Sequence, residues 1–233
     1  MSSCVLETKC WEKDWQTVLE VGRLLHLRNH SGNDASKFLI FINNCDNPKG
    51  PATRCELFLS RGVIDGYYVV AEHEKKVLDF FGLTREAFTT GYYYSIAELT
   101  ALYLCKDADF LCHFASDVLP LKGEPWIADA MTLMEQNPKI KAANLTWNND
   151  FAGARAESFD EHGKWFFSQG FSDQNYLVRV ADFRQRIYDQ THPASRRYPT
   201  YGGELFEKRV DSWMRNRGCW RATHKELSYG HPL

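Results

Sequence analysis

Short apolar runs alternate along the chain with segments in which apolar residues recur at helical spacing, and this pattern predicts an α/β sheet with helices on both faces. The predicted strands are residues 4–8, 38–42, 67–70, 109–114, 142–145 and 176–180, with a last strand before His231. The predicted helices are residues 15–25, 53–61, 75–81 and 204–217, with two more that begin near residues 96 and 125. The run 38–42 is apolar throughout, which is typical of a strand buried on both faces.

Local signals predict several element boundaries. Asp14 is a candidate N-cap for the first helix. Ser95 and Glu98 match the S-x-x-E capping box, which predicts that a helix starts directly after Ser95. Residues 148–170 are polar and contain three glycines, so we expect loops there. Glycines in the left-handed conformation are predicted to end three helices, at Gly62, Gly82 and Gly218.

Composition indicates one globular domain with a small partner. The 233 residues are 44% hydrophobic, enough to bury one sizeable core. Lys and Arg number 28 against 30 Asp and Glu, so the chain lacks the overall basic surface typical of proteins that bind nucleic acid or anionic membranes. We therefore expect a small molecule or a glycan as the partner.

The cysteines and the apolar runs narrow the class further. Seven cysteines without a C-x-x-C pair favour reduced core thiols over a zinc site or a disulfide framework. The longest apolar runs, 38–42 and 110–114, are far shorter than the roughly 18 residues that span a bilayer. The first residues lack a basic segment followed by a signal-type apolar stretch, and we expect a cytoplasmic location.

Polar residues follow two of the predicted buried strands. Residues 43–48 form a turn after the strand 38–42, and Ser116 and Asp117 follow the strand 109–114. Ligands of open α/β sheets bind at this carboxyl edge. The Asp117 carboxylate offers hard oxygen ligands to Mg²⁺ or Mn²⁺, which would neutralise a diphosphate; the alternative is an ordinary loop or cap aspartate.

The other candidate site residues also have ordinary structural interpretations. Glu204 and Glu207 lie near a predicted helix start, where the helix dipole favours an ionised base, but they are also typical of a solvated helix face. Trp147 is either a platform for a sugar ring or a core residue, and Asp173 and Gln174 either shape a sugar pocket or belong to a turn. The aromatic stretch that ends in Tyr94 either stacks on a ligand or packs beside the helix cap.

The order of these elements resembles that of the inverting GT-A glycosyltransferases of family 2, over nearly the whole chain. The matching segments are the strand and polar loop at 6–12, the acidic turn at 43–47, residues 91–104 and the strand 110–117. Further matches are Glu124-Pro125-Trp126-Ile127, the helix that begins near Gly202-Gly203-Glu204 and ends at Gly218, and His231.

This resemblance implies a Rossmann-like α/β fold of GT-A type, with a mixed, mostly parallel sheet flanked by helices. It implies a single domain over residues 1–233, with a nucleotide-binding half at about 1–120 and an acceptor half at about 121–233. The implied activity is transfer of a hexosyl or deoxyhexosyl group, with inversion, from a UDP-, dTDP- or GDP-sugar to a hydroxyl of a glycan or glycolipid. Mn²⁺ or Mg²⁺ would assist.

The resemblance also implies roles for single residues. Asp117 and His231 would hold the metal, and Glu207 or Glu204 would be the catalytic base, with the spacing to Gly218 favouring Glu207. The contacts to the nucleotide and its diphosphate would come from Thr8, Glu12, Asn44, Asp46, Tyr94, Ser116 and Asp117. The contacts to the sugars would come from Trp147, Asp173 and Gln174.

One departure from the family pattern keeps other functions open. Ala115 stands where the first acid of the D-x-D motif is expected, so the metal requirement is open and the diphosphate could lean on Lys or Arg instead. A protein that binds nucleotide or glycan without catalysis is one alternative. A nucleotidyltransferase is another, but residues 10–13 are a poor match to a glycine-rich, basic triphosphate loop.

Overall fold

A computed structural model describes residues 2–30, 34–199 and 202–231. Its centre is a mixed sheet with the strand order β3-β2-β1-β4-β9-β6-β10-β8-β7, and β5 pairs with β10 beside this path. The strands are β1 (Cys4–Cys10), β2 (Ala35–Ile42), β3 (Gly66–Val69), β4 (Phe110–Phe114), β5 (Leu119–Pro120), β6 (Ile140–Trp147), β7 (Asp160–His162), β8 (Trp165–Ser168), β9 (Asn175–Arg179) and β10 (Trp220–Gly230).

Helices cover both faces of this sheet. They are α1 (Trp15–Val18), α2 (Val21–His30), α3 (Lys49–Ser60), α4 (Glu74–Phe81), α5 (Ile96–Leu104), α6 (Ile127–Gln136), α7 (Phe151–Ala156), α8 (Val180–Phe183) and α9 (Phe206–Asn216). Short 3-10 segments lie at Val70–Glu72, Glu86–Tyr94 and Pro193–Arg197. The predicted α/β fold class is confirmed.

Alternation along the strands divides the interior into two cores. On β1, Leu6 and Cys10 face a first core that is closed by α1, α2, α3 and α6. Val5 faces a second core, which is closed by α4, α5, α8, α9 and the segment Glu86–Tyr94. Successive side chains of a strand point to opposite faces, so Glu7 and Lys9 lie on the same side as Val5.

Strand directions bring several chain segments to one edge. β1 pairs in parallel with both β2 and β4. β9 is antiparallel to β4 and to β6, and β10 is parallel to β6. The carboxyl ends of β1, β2, β4, β6 and β10 and the start of β9 therefore lie at the same edge.

The prediction of loops over residues 148–170 is wrong, because this region contains α7, β7 and β8. β8 is the buried run Trp165–Ser168, which pairs with β10 on one side and β7 on the other. The three glycines of this region favoured loops, but the four-residue run between Gly163 and Gly170 forms a strand. A run this short becomes a strand only because β10 offers it a partner.

Two predicted caps are also corrected. Ser95 precedes α5 as expected, but its side chain makes no cap bond: its hydroxyl donates to the Gly91 carbonyl and accepts from the Phe206 N–H. Asp14 likewise makes no cap bond to α1, since its carboxylate accepts from the Trp11 N–H at 2.7 Å. The predicted first helix is divided into α1 and α2.

The remaining features of the fold are its cysteines and the lengths of its helices. All seven cysteines are free, and all but Cys45 are buried, in accord with reduced core thiols. No helix in the described ranges has the length and the apolar character needed to cross a bilayer.

The start of α9 is held by a close backbone contact with the segment Glu86–Tyr94. The Glu204 N–H approaches both the Phe88 carbonyl and the Thr89 hydroxyl at 3.3 Å. Thr89 has φ 51°, a strained value for a β-branched residue, and Gly203 has φ 65°. A Cβ at Gly91 would overlap with the Gly202 carbonyl, so these two chain segments approach as closely as a glycine allows.

We expect Gly91→Ala to lower the free energy of unfolding by about 1–3 kcal/mol, because a backbone atom stands where its methyl group would be. Denaturant unfolding measures this. Gly22→Ala is the control: nothing lies within 4 Å of its Cβ position and it is in α2, so it should be neutral or stabilise by up to about 1 kcal/mol. Equal effects of the two changes would contradict the contact.

Candidate functional site

Most of the predicted site residues lie at or just beyond the carboxyl edge described above. Ser116 and Asp117 follow β4, Asn44 and Asp46 follow β2, and Glu12 follows β1. Trp147 is the last residue of β6, His231 follows β10, Asp173 and Gln174 directly precede β9, and Glu207 lies in the first turn of α9. Residues up to 219 positions apart in the sequence, from Glu12 to His231, thus share one surface.

Asp117 and His231 are close neighbours. His231 Nδ1 is 3.4 Å from Asp117 Oδ2 and 3.2 Å from the Asp117 carbonyl oxygen. The ladder between β5 and β10 positions them, because it pairs Gly230 with Leu119. Both side chains remain accessible, at 64% exposure for Asp117 and 39% for His231. The pair that was predicted as metal ligands is therefore adjacent and open to a ligand.

Asp14 is a second acid beside this pair, although its position in the sequence predicted only a helix cap. Its carboxylate interacts with the Ser116 hydroxyl and with the charge of Asp117. Partial burial raises the pKa of Asp14. Arg23 lies beside both acids and donates to the carbonyls of Ser116 and Val118. This arginine anchors the loop after β4 in place.

The donor set suits a divalent ion only in part. In the described ranges no three His, Cys, Asp or Glu side chains are arranged to hold a metal ion. Asp117 and His231 would thus supply only two ligands of a metal shell. Mg²⁺ and related ions are commonly bound through one or two carboxylates together with substrate phosphates and water. The residues present fit such a shared site, and not a site built from protein groups alone.

The residues predicted to bind the nucleotide lie at the ends of β1 and β2. The Asp46 N–H donates to the Glu12 carboxylate at 3.1 Å. Asn44 adopts φ 47° and is exposed, and Tyr94 is 58% exposed. Thr8 differs from these, because it is buried and its hydroxyl finds no hydrogen-bond partner among the described residues. It lies within β1, two residues before the strand ends.

Glu207 occupies an unusual electrostatic setting in the first turn of α9. The Asp173 N–H donates to its carboxylate, while the Asp173 carboxylate repels it. Burial and this repulsion raise the pKa of Glu207 to about 9. Glu204 precedes the helix and is bound by Lys208 at 2.6 Å, one third exposed. The two candidate bases therefore have different surroundings, and only Glu207 has a carboxylate neighbour of the kind described.

Below Glu207, the second core contains a group of ionisable side chains that sequence analysis missed. Strand register places Glu7, His113 and Tyr176 in one row across β1, β4 and β9. Glu7 and His113 are bonded at 2.5 Å, and the His113 ring stacks on Tyr176 at 4.7 Å. The signal was present in the sequence: Glu7 and His113 are polar positions within strands that are otherwise largely apolar.

A second buried pair lies next to this row. Lys9, two residues after Glu7, forms an ion pair with Glu98 of α5. Glu98 is 1% exposed, on a helix whose other residues are mostly apolar. The capping-box interpretation assigned this glutamate to the helix start, and that interpretation is wrong, because Glu98 reaches the sheet.

Two of the predicted sugar contacts, Trp147 and Gln174, lie near Tyr229 of β10, while the third, Asp173, lies beside Glu207. Trp147 is 51% exposed, and strand register pairs it with Tyr229. The Tyr229 hydroxyl and the Gln174 side chain are 3.3 Å apart. The indole at the end of β6 therefore lies next to the end of β10, where Tyr229 is two residues before His231. A buried, structural role for Trp147 is thus excluded.

The fold can be compared with known proteins. No protein-family model matches the chain, and no curated protein sequence matches it. The crystal structure of GalNAc-T7 with UDP, GalNAc and Mn²⁺ superposes with a TM-score of 0.59 at 6% identity, over 99% of this chain and 43% of that chain. This chain has a GT-A-like fold. It spans less than half the length of the GalNAc-T7 structure.

Two other solved structures are similar at a lower level. A197 from STIV aligns with 99% of this chain and 86% of its own length, at 11% identity and a TM-score of 0.44. TarS of S. aureus aligns with 99% of this chain and 37% of its own length, at 9% identity and a TM-score of 0.48. With TM-scores below 0.5, these two likenesses carry no argument.

The raised pKa of Glu207 predicts a pH-dependent stability. The folded state binds this proton more tightly than the unfolded chain does, so the stabilisation present at low pH is lost as pH rises from about 5 towards 9. The free energy of unfolding of the wild type, measured against Glu207→Gln by urea denaturation, should therefore fall across this window. Parallel curves for the two proteins would contradict the assigned pKa.

Proposed function

We propose that this protein transfers a sugar from a nucleotide diphosphate donor to a hydroxyl of a glycan acceptor, with inversion at the anomeric carbon. The observation that carries the proposal is the pairing of two polar groups at one edge of a GT-A-like fold. One is the exposed Asp117–His231 pair, and the other is Glu207 with Asp173. Inverting transfer needs a base on the acceptor side and charge stabilisation on the donor side.

Glu207 is the proposed base. When ionised, it takes the proton of the acceptor hydroxyl, whose oxygen bonds to the anomeric carbon. The bond from that carbon to the donor diphosphate breaks, and its electron pair leaves with the diphosphate. A carboxylate with a pKa near 9 is a much stronger base than an ordinary glutamate. The Asp173 N–H orients this carboxylate, so the same loop that raises its proton affinity also fixes its direction.

Asp117 and His231 would hold a divalent ion together with the diphosphate. Such an ion, Mn²⁺ or Mg²⁺, supplies charge neutralisation of the departing diphosphate when bound. Ala115 supplies no carboxylate, so the two side chains bind an ion weakly in the absence of phosphate oxygens. We infer that nucleotide and metal bind as a unit, and that Ser116 lies beside them.

The donor half of the site is assigned by position. We infer that Thr8, Glu12, Asn44, Asp46 and Tyr94 contact the nucleotide, which makes residues up to about 120 the nucleotide-binding half. Residues from about 121 onwards would form the acceptor half, with Trp147, Asp173 and Gln174 against the sugars. GalNAc-T7 was crystallised with UDP, so UDP donors, carrying a hexosyl or deoxyhexosyl group, are the first to test, followed by dTDP and GDP donors.

Base removal tests the assignment. Glu207→Gln should lower kcat by about 10²–10⁴-fold, as is usual for loss of a general base, and Glu204→Gln should have a much smaller effect. Release of nucleotide diphosphate from UDP-, dTDP- and GDP-sugars, with and without glycan acceptors, provides the assay. Full activity in both variants would exclude the base assignment. Nucleotide binding without any turnover in the wild type would favour a binding protein instead.

The metal proposal is tested by titration calorimetry of UDP. Mn²⁺ should strengthen UDP binding at least tenfold, and Asp117→Asn should abolish this gain because it removes the anionic ligand. Asp107→Asn is the matched control, since Asp107 is an exposed aspartate before β4, at the opposite edge of the sheet. UDP binding that responds neither to Mn²⁺ nor to Asp117→Asn would overturn the proposed metal pair.

A further inference from the structure

The ion pair between Lys9 and Glu98 lies directly beneath the site, and nothing in the proposed chemistry accounts for it. Lys9 is 16% exposed and the Glu98 side chain is fully buried. Removing two charges from water costs several kcal/mol, and apolar residues of similar volume often replace such pairs without loss of stability. A pair of this kind in the second core is therefore a weak source of stability, and we looked for a functional role.

Backbone geometry brings this pair next to Asp173 and Glu207. β1 pairs in register with β4, so Lys9 lies level with Ala115, one position beyond the pairing of Thr8 with Phe114. The Ala115 N–H donates to the Gln174 carbonyl at 2.8 Å, which places Asp173 immediately beyond this contact. Lys9 and Asp173 thus approach the same point from β1 and from the start of β9.

Glu98 and Glu207 converge on the same region from two helices. The Ser95 hydroxyl, one turn before Glu98, accepts from the Phe206 N–H at 2.9 Å. The Phe206 ring packs on Tyr176, which lies in the row with His113 and Glu7. α5 and α9 are therefore joined at the turns that carry the two glutamates.

The charges in this region interact with one another. Asp173 acts on the charges of Lys9, of Glu98 and of Glu207, and Glu98 also acts on Glu207. The ionisable groups that interact with the Asp173 or Glu207 carboxylate come from β1, α5, β9, β10 and the segment Pro193–Arg197 with the residue after it: Lys9, Glu98, Tyr176, Tyr229, Arg197 and Tyr198. Glu7 acts on Tyr176 and His113 acts on Glu98. Among these, Lys9 and Arg197 carry permanent positive charge at neutral pH.

We propose that Glu98 is a positioning residue, which holds the Lys9 ammonium against α5 and offsets its charge, so that Lys9 does not stabilise the ionised form of Glu207. With Glu98 in place, the Lys9–Glu98 pair is neutral overall and the Glu207 carboxylate retains its high affinity for a proton. Without the Glu98 charge, Lys9 would pair with Asp173 and weaken that affinity. The role of the buried pair is therefore to keep Glu207 a strong base.

This inference rests on the proposed role of Glu207 for its catalytic meaning, but its test does not require activity. The carboxyl carbon of Glu207 is followed by NMR in protein labelled with ¹³C-glutamate, and the signal is assigned by its loss in Glu207→Gln. Three proteins are titrated from pH 5 to 10: the wild type, Glu98→Gln, and the double variant Lys9→Met with Glu98→Gln. In an active preparation, the acid limb of kcat/KM is recorded alongside.

Glu98→Gln should lower the midpoint of the Glu207 titration by at least about one pH unit, because it leaves one uncompensated positive charge near the carboxylates. The double variant, which removes both charges, should return the midpoint close to that of the wild type. A structural defect would not produce this reversal. The acid limb of kcat/KM should move with the midpoint, to lower pH in Glu98→Gln and back in the double variant.

Three results would overturn the proposal: an unchanged midpoint in Glu98→Gln, a shift to higher pH, or a double variant shifted as far as the single one. If Glu98→Gln does not fold, Glu98→Asp replaces it, since the shorter carboxylate withdraws from Lys9; a smaller downward shift is then expected, and no shift overturns the proposal equally. Reversal by NMR in a protein without transferase activity would reject the proposed function and leave this inference standing.

Discussion

The parallel pairing of β1 with both β2 and β4 is the constraint on which the rest of the structure depends. Because these three strands run in the same direction, the residues that follow them lie at one edge of the sheet, whatever the conformation of the loops. The remaining strands extend this edge: β9 begins there, and β6 and β10 end there. A surface that draws on positions 12 to 231 is thus a consequence of strand direction.

The two cores differ in a way that bears on the site. The first core is lined by apolar side chains, with the buried polar residues Thr8 and His224 beside them. The second core places Glu7, Lys9, Glu98 and His113 among aromatic and aliphatic residues. Charges at low dielectric interact over longer distances than charges at the surface, which makes this core suited to adjusting a titrating group above it. Aromatic packing around Phe206 and Tyr176 keeps water from screening these charges.

Much of the fold could be predicted from the sequence, because the central strands are largely apolar runs and three of the helices, α3, α4 and α9, end at glycines. The position of Asp117 and the helix of Glu207 followed from element order, and the pairing of His231 with Asp117 followed from the family resemblance. The short strands β7 and β8 could not be predicted, since they exist only through pairing with β10. The Lys9–Glu98 pair escaped for a related reason: it joins residues 89 positions apart, and a local motif gave Glu98 another explanation.

The ladder between β5 and β10 has a consequence for assembly. His231 is brought to Asp117 by the same strand that binds β6 on one side and β8 on the other. The two halves of this pair, 114 positions apart, cannot meet until the sheet is complete in its centre. A chain in which β10 has not yet joined the sheet would keep Asp117 and His231 apart. The proposed metal pair would therefore form only together with the centre of the sheet, and a partly folded chain would lack it.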